Sequence, residues 1–172
     1  MRLIDNDIIH EKLLVKKPLL AYSEKNDYVK WKEQVRQKYI EMLGLDVIAQ
    51  NACEMKIEIE ECVETEEYTR YRYVFESEKD CLVPCYLLIP RGATEKLPVC
   101  VCVQGHSTGF HISIGEKKYD EDDSNLETST FALDGVKNGY AALCVEQRGM
   151  GERRTMKVWN TDDKGAPRCT TT

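Results

Sequence analysis

Residues 97–109 read LPVCVCVQGHSTG, and residues 141–152 read AALCVEQRGMGE. In each, an apolar run without polar alternation passes directly into a glycine-containing loop. Such a run is the mark of a strand buried on both faces of a parallel sheet. Between them, LETSTFALDGVKNGY (126–140) sets Leu126, Phe131, Ala132 and Val136 along one side of a helix, with Gly139 placed to stop it. Strand, loop, helix, strand of this size predicts a right-handed β-α-β crossover, hence an α/β fold.

Upstream the pattern is different. KIEIEECVE (56–64) and YTRYRYVFES (68–77) alternate polar with apolar or aromatic residues, as half-exposed antiparallel strands do, and LVPCYLLIP (82–90) predicts another strand before the turn RGATEK. From Glu54 to Asp80 there are ten acids and four bases, a net of −6, equal to the charge of the whole chain (24 − 30 = −6). This is expected to be a solvated face. Tyr28, Trp31, Val35, Tyr39 and Met42 recur at helical spacing from Asp27 onward, Gly44 closes that helix, and the stripe is expected to pack as core. Residues 1–25, interrupted by Pro18, and the end KVWNTDDKGAPRCTTT read as irregular, as does a long polar loop over roughly 111–126. The expected organisation is an amino-terminal arm and helix over 1–50, then a partial α/β core over 51–172.

At 172 residues, 42 % hydrophobic and 31 % charged, the chain has the makings of a folded core. Its negative charge argues against nucleic acid or an anionic membrane as partner. No apolar run reaches spanning length, and the first residues lack a signal peptide's basic head and apolar centre, so a cytoplasmic protein is expected. The eight cysteines include no CxxC pair, and Cys100, Cys102 and Cys144 sit inside apolar strands, where thiols behave as small hydrophobes. Cys100 and Cys102 with His106 and His111 fit no common zinc spacing. Neither metal nor cofactor is expected, and no phosphate-cradling glycine motif follows either buried strand.

In open α/β sheets ligands bind beyond the carboxyl ends of the strands, which points to the loops 104–109 and 148–152. Gly105-His106-Ser107-Thr108-Gly109 is formally a G-x-S-x-G, the nucleophile elbow of serine hydrolases. An elbow needs a helix directly after it, and the following FHISIG has no helical pattern. A serine base should also come later than His111, which stands only four residues on. Ser107 is therefore a weak nucleophile candidate. Two readings of the loop remain on residue chemistry: a tight turn after a strand, or backbone amides of His106 and Ser107 aimed at a developing oxyanion, with Gly105 allowing close approach.

Taken in order, PCYLLIPRG, PVCVCVQGHSTG and KNGYAALCVEQRGMGER resemble the amino-terminal half of α/β-hydrolases, over roughly residues 27–155. The nearest branch contains acetyl xylan esterases, cephalosporin deacetylases and dienelactone-hydrolase-like proteins. The resemblance implies that VCVCVQ is the family's third strand, that the His106 N–H is an oxyanion donor, and that Gln104, Gly105 and Arg148 contribute to the substrate site. Gln104 stands where many relatives have histidine, and Glu146 replaces the commoner aspartate of the turn after the fourth strand. Arg148 is expected either to brace the active-site floor or to be a salt-bridged turn residue. The family's nucleophile elbow, acid and catalytic histidine would all follow that turn, yet no serine follows Ser129 and no histidine follows His111. The expectation is a serine carboxylic-ester hydrolase acting on a small acyl ester through an acyl-enzyme, present as an incomplete chain and inactive alone. The alternative is a non-catalytic α/β module that completes its sheet with a partner: a second copy, or the missing carboxyl-terminal half.

Overall fold

A computed structural model describes residues 7–16 and 18–154. The expected irregular tail, KVWNTDDKGAPRCTTT with Cys169, lies outside the described residues. The chain divides between Asn51 and Ala52 into two compact units.

The first unit is helical. Helix α1 (Asp7–Leu14) occupies a segment read from sequence as irregular. Asp7 in its first turn and Lys12 in its last complement the helix dipole, and Ile8, Ile9, Leu13 and Leu14 give it a period that Pro18 obscured. Helix α2 (Tyr28–Leu43) runs where expected. Its N-cap, Asp27, accepts hydrogen bonds from the Val29 and Lys30 amides, and Gly44 ends it in the left-handed conformation at φ 61°. Its stripe is not core, however: no residue of α2 is buried, and Tyr28, Tyr39 and Met42 are all more than half exposed. Trp31 instead packs on Tyr22, ring centroids 4.9 Å apart, and donates its Nε1–H to the Leu20 carbonyl at 2.9 Å. The short α3 (Leu45–Gln50) completes this unit.

The second unit is a five-stranded sheet: β1 (Ile57–Glu64), β2 (Tyr68–Glu78), β3 (Cys81–Pro90), β4 (Val99–Cys102) and β5 (Ala141–Val145), in the spatial order β1-β2-β3-β5-β4. The first three are antiparallel neighbours, β5 runs antiparallel to β3, and β4 and β5 are parallel. The connection from β4 holds a 3-10 turn at Phe110–Ile114, another at Asp120–Asp122, the single-turn α4 (Asp123–Leu126) and then α5 (Phe131–Lys137). Two expectations are corrected here. Phe110–Ile114 is not polar loop but fully buried, and the helix over 126–137 is split, so that Phe131 is exposed while Ala132 and Val136 stay inside.

Helix α5 lies on one face of β3, β5 and β4. Gly135 allows the approach: a Cβ there would stand 3.6 Å from the Ala142 Cβ and 3.7 Å from that of Cys100. The core beneath joins Tyr86, Leu88, Phe110, Ile114, Ala142, Cys102 and Cys144, with Tyr86 and Phe110 stacked at 4.6 Å. The seven described cysteines are free thiols. The opposite face of β4 corrects the expectation of double burial, since Val99, Val101 and Val103 are 58, 59 and 55 % exposed. Only one side of this strand has a covering layer among the described residues.

Leu88→Ala, at a fully buried position, is expected to cost about 2–5 kcal/mol in urea unfolding, whereas Val101→Thr on the uncovered face should change stability by less than about 1 kcal/mol.

Candidate functional site at the strand ends

The parallel register of β4 and β5 pairs Cys102 with Cys144. Continued two residues, it brings Gln104 opposite Glu146, and the Gln104 Nε2 donates to Glu146 Oε1 at 2.6 Å. Both side chains are buried, Glu146 completely. Its other oxygen, Oε2, accepts the backbone N–H of Phe110 at 3.4 Å and of Glu152 at 3.2 Å. One carboxylate thus ties the loop after β4 to the turn after β5. Two glycines close around it. A Cβ at Gly151 (φ 46°) would lie 2.0 Å from Oε2, and one at Gly109 would lie 3.0 Å from Oε2 and from His111 Nδ1. Burial pushes the Glu146 carboxyl up to about 7, against the pull of its three donors.

On the far side of Gly109 sits a second buried cluster. His111 Nε2 is 3.0 Å from Asp122 Oδ2 and 3.2 Å from Thr108 Oγ1, and the Thr108 hydroxyl donates to Asp122 Oδ1. Asp122 also accepts the N–H groups of Lys118 (2.8 Å) and Tyr119 (2.9 Å). Burial opposes the Asp122 charge, but the bonds from Thr108, the two amides and His111 outweigh it and hold the carboxyl below its ordinary range. Burial lowers His111 despite that partner. The pair is therefore a neutral imidazole donating Nε2–H to a carboxylate, and it pins the far end of the loop.

Between these two anchors the loop turns outward. Gly105 and His106 are exposed and Ser107 is half-buried. Among the described residues no acceptor takes a backbone N–H from Gly105 to Gly109, those of His106 and Ser107 included, whereas the Phe110 N–H is bound by Glu146. The Ser107 hydroxyl donates only to the Gly109 carbonyl, at 3.5 Å, and the nearby imidazole is engaged by Thr108 and Asp122 instead. A buried 3-10 turn follows in place of the helix an elbow requires.

The other sequence candidates separate. Gln104 is 4 % exposed and turned onto Glu146, and its Oε1 has no partner. Arg148 is paired with Glu78 and largely exposed. Other residues of the same turn reach the loop and the strand end: Gln147 donates to the Gln104 carbonyl, and Arg153 donates to the Glu146 carbonyl at 3.0 Å. Sequence reading gave no role to Thr108, a spacer in the G-x-S-x-G pattern, or to Asp122, which looked like a residue of a polar loop. No spacing rule joins Thr108, His111 and Asp122. Among the described residues no group of three or more His, Cys, Asp or Glu side chains is placed to hold a metal ion, and no helix is long and apolar enough to cross a membrane.

Compared with known proteins, residues 2–162 match the model of an Abhydrolase family. The chain is similar in structure to a proposed acetyl xylan esterase of Bacteroides fragilis NCTC 9343, with TM-score 0.67 and 22 % identity over 91 % of this chain and 41 % of that one. It also aligns with the acetyl xylan esterase from Paenibacillus sp. R4 at TM-score 0.41 and 18 % identity, over 78 % of this chain and 38 % of that one. The first likeness is one of fold. This chain thus spans about two fifths of the length of the solved structures it matches. No curated protein matches it.

Gly151→Ala is expected to destabilise the chain by about 2 kcal/mol or more in thermal or urea unfolding, because the added methyl meets the Glu146 carboxylate and the backbone leaves its preferred region. The two buried titrations act with opposite sign. Glu146, raised from 4.5 to about 7, favours the folded state below pH 4.5 and loses that contribution as pH rises to about 7. His111, lowered from 6.5, contributes above that value and loses its contribution as pH falls. Glu146→Gln should therefore gain stability relative to wild type as pH rises from 4.5 to 7, by at most about 1.4 kcal/mol per pH unit, in urea titrations at several pH values.

Proposed function

Because this chain belongs to the Abhydrolase family, the α/β-hydrolases, we propose that it carries the oxyanion loop and the first strands of a serine carboxylic-ester hydrolase acting on small acyl esters. The observation that carries this reading is that the loop from Gly105 to Gly109 leaves its N–H groups without acceptors, and that His106 and Ser107 stand where it is open to solvent. They stand at the carboxyl end of β4, in a loop anchored from behind by Glu146 and Asp122. Fixed donors of this kind stabilise the negative charge that develops on a carbonyl oxygen under nucleophilic attack, at no cost in reorganisation. The likeness to a proposed acetyl xylan esterase supports an acetyl or similarly short acyl group.

In this mechanism a serine hydroxyl adds to the ester carbonyl while a histidine removes its proton. The tetrahedral oxyanion rests on the His106 and Ser107 amides, and the alkoxide leaves with a proton from the histidine. Water then cleaves the acyl-enzyme by the same steps. Ser107 serves as an amide donor, since the neighbouring imidazole is committed to Asp122 and Thr108. The nucleophile, acid and base are supplied by polypeptide outside these 172 residues.

A second reading rests on Val99, Val101 and Val103, exposed on a strand at the end of the sheet order. It makes the chain a non-catalytic module that completes its sheet with a partner chain. Light scattering separates the two states: a clean monomer without binding of a hydrophobic dye counts against this module.

The 172-residue chain is expected to hydrolyse p-nitrophenyl acetate no faster than buffer. Turnover lost in Ser107→Ala would overturn the assignment of Ser107 as a donor. Reading the coding sequence past Thr172 tests the whole proposal. A further strand, a G-x-S-x-G entering a helix, and a later acid and histidine support it, and a stop codon favours the module.

A further inference from the structure

We propose that Glu146 is the positioning residue that sets the direction of the His106 and Ser107 amides, by gripping the loop on both sides of them from one buried carboxylate. The inference rests on the oxyanion-loop reading and adds a residue to it. Glu146 touches no substrate in this account.

The geometry is specific. Oε1 takes the side chain of Gln104, two residues before His106, and Oε2 takes the backbone of Phe110, three residues after Ser107. The segment between is short and closed at both ends by one rigid group. That group is itself immobilised: Oε2 also accepts the Glu152 amide, the Glu146 N–H donates to the Pro84 carbonyl at 3.1 Å, and the Glu146 carbonyl accepts from Arg153. The carboxylate lies close against Gly109 and Gly151, where an added Cβ would stand 3.0 and 2.0 Å from Oε2. A structural carboxylate in a sheet needs none of this on the loop side. Here two of its three side-chain contacts go to the oxyanion loop.

The grip depends on protonation. As a carboxylate, Glu146 accepts from the Gln104 Nε2. As an acid, its hydroxyl must donate on that side, and the acceptor at hand is the unpartnered Gln104 Oε1, reached when the amide turns over. Charged and titratable groups around the carboxylate are Glu152 and Arg153 from the turn after β5, His111 beyond Gly109, Cys85 from β3 and Arg72 from β2. His111 is held by Asp122, and burial shifts it below its ordinary value, opposite in direction to Glu146.

The test uses the 172-residue chain and needs no turnover, so its outcome is independent of whether the esterase reading survives. Amide resonances of residues 104–111 and of Glu152 are followed by NMR between pH 5 and 8.5 in His106→Asn, which takes the imidazole out of the loop, and in the same chain carrying Glu146→Gln as well. The expected result is one shared step near pH 7 at residues 106, 107, 110 and 152, absent once Glu146→Gln is added. Hydrogen exchange read by mass spectrometry supplies the second arm. Glu146→Ala should speed exchange over residues 104–114 by about tenfold or more while β1–β3 peptides keep their rates, and Glu146→Gln should restore the loop. A step at residues 106 and 107 that persists when Glu146→Gln is added to the His106→Asn chain would overturn the proposal. So would Glu146→Ala loosening sheet and loop alike.

Discussion

The insertion of β5 between β3 and β4 is the constraint from which the site follows. A chain that lays β4 at the end of the sheet and returns through α5 must bring its next strand back into the gap. The carboxyl ends of β4 and β5 then lie side by side, and the Cys102–Cys144 pairing fixes which residues meet beyond them. Gln104 and Glu146 are those residues. Both side chains are buried, and three donors from the loop after β4 and the turn after β5 converge on the carboxyl group. Topology thus places a buried carboxyl group between two loops and ties them together.

The surrounding electrostatics carry that order to the surface. Arg72 bridges Glu60 at 2.7 Å and Glu152 at 2.8 Å, and Arg70 joins Glu61 and Glu116. The acid-rich antiparallel strands are therefore cross-linked to the loops through two guanidinium groups, which also lie over the Tyr86 ring at 5.3 and 5.5 Å. Exposed pairs of this kind add little individually. Their position matters more, because Arg70–Glu116 and Arg72–Glu152 join β2 to segments that follow β4 and β5, where backbone pairing does not reach.

Much of this was legible in the residues. The antiparallel strands, α2 with Asp27 and Gly44 as its caps, the parallel pair and the two loops at its carboxyl end all follow from period, caps and glycine placement. Three things did not follow, each for a physical reason. Alternation in VCVCV is invisible when both faces are apolar, so the sequence could not show that Val99, Val101 and Val103 lie uncovered. The stripe on α2 has the right period but no buried partner, because period reports a face and not what meets it. And Asp122 sits in a run of four charged residues, DEDD, where its capture by Thr108 and His111 depends on a turn that no spacing rule describes.

A polar and an apolar demand meet at the end of β4. Glu146 and Asp122 hold the two ends of the loop, while its His106 and Ser107 amides have no acceptor among the described residues. The only strand with a bare valine face among the described residues is β4, the strand that ends at those amides. A free strand edge flanked by Val99, Val101 and Val103 carries no charge or proline between them to discourage pairing, unlike the guarded edges of finished sheets. Whatever pairs there must present backbone along β4 and an apolar layer over the valines. Its carboxyl or amino end then comes to lie beside the two free amides. Under the esterase reading, closing the sheet and supplying the nucleophile are for this reason one step: a strand added at β4 delivers its own terminal loop to the oxyanion donors.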